Sequence, residues 1–124
     1  MDLSQSAILL DTNIALYYLG GRLAVPLPTG EYHISIITEM ELLSYPGLSP
    51  TDEQQIHNFL AQIVIIRIDD TIKTMAIMLR KQHRLKLPDA IIAATAQSLG
   101  ALLLTNDLKL SNLGVVQAQS MPTI

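Results

Sequence analysis

Short apolar runs alternate along this chain with segments that carry helix start and stop signals, and that alternation restricts its fold more than any other feature. Ala7 to Leu10 reads as a buried strand that stops at Asp11. Thr12 or Asn13 can cap a helix running to Leu19, where Gly20-Gly21 ends it. Residues 22 to 30, with Pro26, Pro28 and Gly30, read as a loop. His33 to Ile36 is a second strand, and Thr38 can start a helix that ends before Pro46-Gly47. Ser49-Pro50-Thr51-Asp52-Glu53 is a helix-start signal for a segment reaching about Gln62. Ile63 to Ile68 is a third strand, followed by a helix capped by Asp70 or Thr71 and reaching His83 or Arg84. Leu87-Pro88-Asp89 opens a helix that Gly100 closes; Ala101 to Leu104 is a fourth strand and Val115-Val116 a weak fifth. Strands that alternate with helices imply an α/β fold on a parallel sheet. In such sheets functional groups gather beyond the carboxyl ends of the strands.

Bulk composition narrows the class. A chain of 124 residues, 49% hydrophobic and 15% charged, fits one domain spanning 1–124 with a sizeable core. It has no cysteine, which excludes disulfide scaffolds and thiolate metal sites and fits a reducing, cytoplasmic setting. MDLSQSAILLD has no basic stretch ahead of its apolar run, so no signal peptide is expected. No apolar run approaches the ~20 residues that span a bilayer. One phenylalanine, four tyrosines and no tryptophan make a base-stacking platform a poor expectation.

Four acids stand at the borders of these elements: Asp11, Glu41, Asp89 and Asp107. Each has an ordinary explanation. Asp11 and Asp107 can cap or turn the chain after a strand. Asp89 sits in the first turn of a helix that is apolar nearly all round, where the positive helix end favours an anion. Glu39 and Glu41 border opposite sides of one apolar stripe, and periodicity does not choose between them. Taken together, carboxylates at one sheet edge would repel and raise one another's pKa unless a cation joined them. An oxygen-only set favours Mg²⁺ or Mn²⁺ over zinc. The net charge of −3 becomes +1 without the four acids, so mild acidity does not exclude a nucleic-acid substrate, although it excludes a broad basic footprint.

The segments ILLDTNIALYYL, ISIITEMELL, LPDAIIAATA and LLTNDLKL, in this order and spacing, resemble PIN-domain nucleases, and most of all the VapC-like toxins of bacterial toxin–antitoxin pairs. The resemblance runs from Ala7 to about Val116. It implies a three-layer α/β/α sandwich around a central parallel sheet of about five strands. It assigns Asp11, Glu41, Asp89 and Asp107 as the metal-binding and catalytic acids, choosing Glu41 over Glu39, with Thr12, Asn13 and Thr105 in support. It further implies a metal-dependent endoribonuclease, an antitoxin partner and a homodimer. Tyr45-Pro46, where relatives often carry a small or basic residue before glycine, and the 22 to 30 loop depart from the pattern. Those departures bear on substrate and partner, not on the acids.

On this reading Asp11, Glu41 and Asp89 hold one ion, partly through water, and Asp107 helps hold a second or orients the attacking water. Arg84 and Lys86 are the candidate phosphate contacts, while Arg80 and Lys81 are better explained by the dipole of a helix end. His33, His57 and His83 share no metal-ligand spacing and read as structural or surface residues. Three alternatives remain. A DNA-directed nuclease would keep the same metal site. A non-catalytic module of the same fold would only bind. A phospho-accepting receiver domain would need paired acids after the first strand and a lysine after the fifth, and this chain has neither.

Overall fold

The computed structural model describes residues 7–124; the expectation of no signal peptide rests partly on residues 1–6, which lie outside the described ones. Five strands, β1 (Ala7–Leu10), β2 (Glu31–Ser35), β3 (Val64–Ile66), β4 (Leu102–Leu104) and β5 (Gln117–Gln119), form one sheet in the order β3-β2-β1-β4-β5. Every pairing in it is parallel. Six helices accompany them: α1 (Thr12–Leu19), α2 (Ile36–Leu43), α3 (Pro50–Leu60), α4 (Asp70–His83), α5 (Leu87–Leu99) and α6 (Leu108–Ser111).

Side-chain alternation along β1 divides the core in two. Leu9 packs with Ile72, Ala76 and Leu79 of α4 and with the alanine-rich face of α5. Ile8 and Leu10 point the other way, to Ile14 and Ala15 of α1, Leu42 of α2, and Ile56 and Phe59 of α3. A strand buried on both faces needs helices on both sides, which makes the three layers. Small residues on α5 keep it close: Ala90, Ala93 and Ala94 are fully buried.

Chain order places the site. From β1 the chain moves to β2 and β3 on one side, then crosses to β4 and β5 on the other. The sheet therefore reverses its winding between β1 and β4, the crevice where parallel α/β sheets receive ligands. Asp11 follows β1 directly, and Thr105 follows β4.

Several local boundaries differ from the sequence expectation. β2 begins at Glu31 and ends at Ser35, whose hydroxyl accepts from the Ile37 amide and caps α2; Ile36 thus belongs to the helix and Thr38 lies inside its first turn. Asp69, not Asp70 or Thr71, caps α4 by accepting from the Ile72 amide at 2.8 Å. β5 lies at Gln117–Gln119 instead of Val115-Val116, because β4 offers three paired positions opposite it and the intervening residues turn after α6. The short α6 went unforeseen, since four residues leave no periodicity to read.

Candidate active site

Asp11 is the first residue after β1 and the N-cap of α1. Its Oδ1 accepts from the Ile14 amide at 2.8 Å, and its Oδ2 accepts from the Thr105 hydroxyl. The helix-cap role foreseen as the ordinary explanation is therefore real, and it uses only one of the two oxygens. Thr105 is fully buried and serves both strand-end acids: it donates to Asp11 and accepts from the Asp107 backbone N–H at 3.0 Å. Asp107 in turn caps α6, its Oδ1 accepting from the Lys109 amide at 2.8 Å.

Glu41 comes from α2. The Thr12 hydroxyl donates to Glu41 Oε1 at 2.7 Å, and the Thr12 and Thr38 hydroxyls lie 3.0 Å apart. Thr12 has one proton, and it goes to Glu41, so Thr38 must donate to Thr12. Thr38 is fully buried and completes a hydroxyl relay that the sequence did not reveal. Its only signal was a threonine three residues before Glu41, which reads equally well as a helix start. Glu39 has no part in the relay.

Asp89 lies in the first turn of α5, behind Pro88, and no described hydrogen bond involves its side chain. The N-cap of α5, Lys86, makes no side-chain cap, so the partial positive charge of that helix end is left to Asp89.

Electrostatics ties the four acids together. Burial pushes the Asp11 carboxyl up from its usual value; the Thr105 and Ile14 hydrogen bonds pull it back, and Asp107 and Asp89 push it up again. Burial likewise raises Asp89, followed by repulsion from Asp107 and Glu41, against relief from Lys86 and Lys109. The sheet edge thus concentrates negative charge that the protein only partly offsets. Among the described residues, no group of three acids, imidazoles or thiolates is arranged to hold a metal ion by itself.

The remaining candidates fall in different places. Asn13 is exposed on α1, and no described hydrogen bond joins it to the acids. Lys86 acts on Asp89, as does Lys109, which sequence reading passed over. Arg84 lines a separate cleft with Arg80 and Lys81 that none of the four acids enters. Asn106, whose amide the sequence sets beside Asp107 as a candidate support for a cation through water, is engaged elsewhere. Its side chain donates to the Met121 carbonyl at 2.9 Å and accepts from the Met121 amide at 2.7 Å, bracing the turn between Thr105 and Asp107 against the C-terminal segment. His33 is buried beside Glu31 in β2, away from the acids. A cavity of about 850 Å³ lies under the 22–30 loop, and none of the acids lines it. Among the described residues, no helix is long and apolar enough to cross a membrane.

Comparison with known proteins places this geometry in context. The family model described as PIN domain matches residues 8–116. A chain of a toxin–antitoxin complex from Klebsiella pneumoniae is 34% identical, with a TM-score of 0.72 over 88% of this chain and 94% of that one. VapBC2 from Rickettsia felis, bound to a DNA fragment from its promoter, superposes with a TM-score of 0.77 at 20% identity, covering 93% of this chain and 98% of that one. VapBC-1 from nontypeable Haemophilus influenzae gives 0.72 at 24% identity, over 92% and 97% respectively. These last two likenesses speak to the fold. No curated protein sequence matches the chain.

Proposed function

This chain belongs to the PIN domain family, a family of nucleases, and from that premise we propose that it is a Mg²⁺- or Mn²⁺-dependent endoribonuclease, the toxin of a toxin–antitoxin pair. The observation that carries the chemistry is the hydrogen-bonded unit Asp11–Thr105–Asp107, set beside Glu41 and Asp89 at the crevice of the sheet. All donors are oxygen, and burial and mutual repulsion raise Asp11 and Asp89, so the cluster is built to gain from a hard cation. Among the described residues no three such groups could hold an ion by themselves, and magnesium, which keeps several waters and needs only one or two direct carboxylates, does not require a complete cage.

Asp11, Glu41 and Asp89 would hold the ion, partly through water, with Asp107 holding a second or directing the attacking water. When bound there, such an ion would lower the pKa of water at the site and offset negative charge on the phosphodiester. Thr105 fixes the spacing of Asp11 and Asp107, and Thr12 fixes the carboxylate plane of Glu41. Lys86 and Lys109, next to Asp89, would meet the phosphates of the incoming strand.

An antitoxin protein partner is supported by the 34% identical relative, which comes from a toxin–antitoxin complex; a homodimer and a cytoplasmic setting belong to the proposal through the family resemblance alone. The test is cleavage of end-labelled RNA and DNA of one sequence, with Mg²⁺, with Mn²⁺ and with chelator. RNA cut only with the metals supports the reading. Preferential cutting of DNA transfers the site to the alternative substrate, and cutting in chelator removes metal chemistry from the account.

A further inference from the structure

Four of the eight lysines and arginines of this acidic chain fall between residues 80 and 86. Three of them, Arg80, Lys81 and Arg84, line one cleft of about 530 Å³ where α4 ends and α5 begins, walled by Ile77, Leu85 and Leu87. The ion pairs among the described residues are His33–Glu31, His57–Glu53 and Lys73–Asp70, so no described acid neutralises this group.

Cations in a last helical turn complement the helix dipole, and that accounts for Arg80 and Lys81. It does not account for Arg84. This residue ends α4 with φ 55 and ψ 40, in the left-handed region. It is the only non-glycine residue with positive φ among the described ones. Helix α5 closes in the same conformation on Gly100, with φ 61 and ψ 31. Glycine takes that conformation without the steric cost that any Cβ brings. The chain thus keeps a guanidinium where glycine would be easier, and strain of this kind clusters where a side chain has a task.

We propose that this cleft anchors phosphates of an RNA strand whose scissile bond lies at the acid cluster. The inference rests on the ribonuclease reading above and extends it to the path of the substrate. Lys86, two residues beyond Arg84 in the chain, is the cation that acts most on Asp89, so the segment leaving the cleft leads to the acids. A polyanion approaching four carboxylates needs such a lead. The lining has no aromatic side chain, so contact there is with backbone rather than bases and carries no sequence preference.

The test is fluorescence anisotropy of a labelled RNA of about 20 nucleotides, titrated across salt with Mg²⁺ present. An Asp11→Asn background prevents turnover. The triple variant Arg80→Ala, Lys81→Ala, Arg84→Gly is expected to bind at least about tenfold more weakly at low salt, with the log–log salt slope reduced by about 2. Arg84→Gly alone should cut the slope by about 0.7 while raising the melting temperature, which separates lost contact from lost fold. Slope and affinity equal to the parent's overturn the proposal. Equal, cleft-dependent binding of poly-glutamate also overturns it, and assigns the cleft to an acidic protein segment.

The outcome is independent of the cleavage assay. Wild-type protein that cuts RNA while the triple variant binds normally overturns the cleft and spares the ribonuclease. Cleft-dependent binding without any cleavage by wild type keeps the phosphate anchor but overturns both the ribonuclease reading and the placing of a scissile bond at the acids.

Discussion

Asp11 and Asp89 carry the same charge at the same end of the sheet, and the chain holds them by different means. Asp11 is nearly buried, with one oxygen on the Ile14 amide and the other on Thr105. Asp89 is half-buried, with no described hydrogen bond to its side chain, and is held by the helix that carries it. The strand-end half of the cluster is thus fixed by backbone amides and the one buried hydroxyl of Thr105 before any ligand arrives. The helix-borne half, Glu41 and Asp89, depends on a relay of threonines in one case and on helix position in the other. A rigid half and an adjustable half suit the proposed activity, in which the site would accept a hydrated ion and then a phosphodiester.

Breaking the rigid half should cost most. Asp11→Asn removes a charge and leaves Thr105 facing an amide. Because a bound metal contributes several kcal/mol to transition-state stabilisation, RNA cleavage should fall by about 10²–10³-fold or more. Single-turnover cleavage at saturating Mg²⁺ checks this, and a variant within tenfold of wild type would remove Asp11 from the chemistry. Thr105→Val keeps the shape and deletes the hydroxyl that joins Asp11 to Asp107. The expected loss is about 10–100-fold in Mn²⁺ affinity by calorimetry. Thr105→Ser should restore most of it; a serine variant as poor as valine would make the role one of packing.

The adjustable half offers a finer cut. Thr38→Val should leave Thr12 free to turn away from Glu41. A loss near the lower end of the same range, about tenfold in metal affinity, is expected, with Thr38→Ser recovering it. If Thr38→Val and Thr105→Val lose the same amount, the two halves are equally preorganised and the contrast drawn above is wrong.

The contrast also explains what could be read from the chain alone. β1, α1, α3, α5 and β4 were legible because each has a clear boundary: Asp11, Gly20, the Ser49-Pro50 start, the Pro88 and Gly100 punctuation, and the apolar run ending in Leu104. The alternation of strand and helix was enough to predict the parallel sheet. Boundaries inside ISIITEMELL were not legible, because β-branched residues continue from strand into helix without a break, and Ser35 rather than Thr38 makes the cap. The fifth strand was expected two residues early, at Val115-Val116, because Gln117–Gln119 puts two exposed glutamines at the sheet edge and the valines carry the apolar signal. In the site, the carboxylates stood out as charges beside apolar runs. Thr38 and Lys109 did not, since a buried hydroxyl and a surface lysine carry no spacing signal until the chain is folded; the amide of Asn106 was visible beside Asp107, but its brace to Met121 was not.

The smallest effect tests the origin of the repulsion itself. Asp89 has a folded-state pKa raised above its ordinary 3.8, through burial first and then Asp107 and Glu41. A raised value means that the folded protein binds this proton more tightly than the unfolded chain. The associated stability is fully present below the unfolded value and is lost as pH rises through the folded one. At neutral pH the ionised carboxylate therefore weakens the metal-free fold. Asp89→Asn, which disturbs no described side-chain hydrogen bond, should raise the metal-free melting temperature by about 2–4 °C near pH 7. The gain should vanish below pH 3.8, where wild-type Asp89 is neutral as well. Saturating Mg²⁺ should reverse the order, because wild type gains from the ion what the variant cannot. Were the variant less stable than wild type in chelator at neutral pH, Asp89 would serve the helix dipole of α5 more than it suffers from its neighbours, and the acid cluster would not be under the electrostatic tension that a cation relieves.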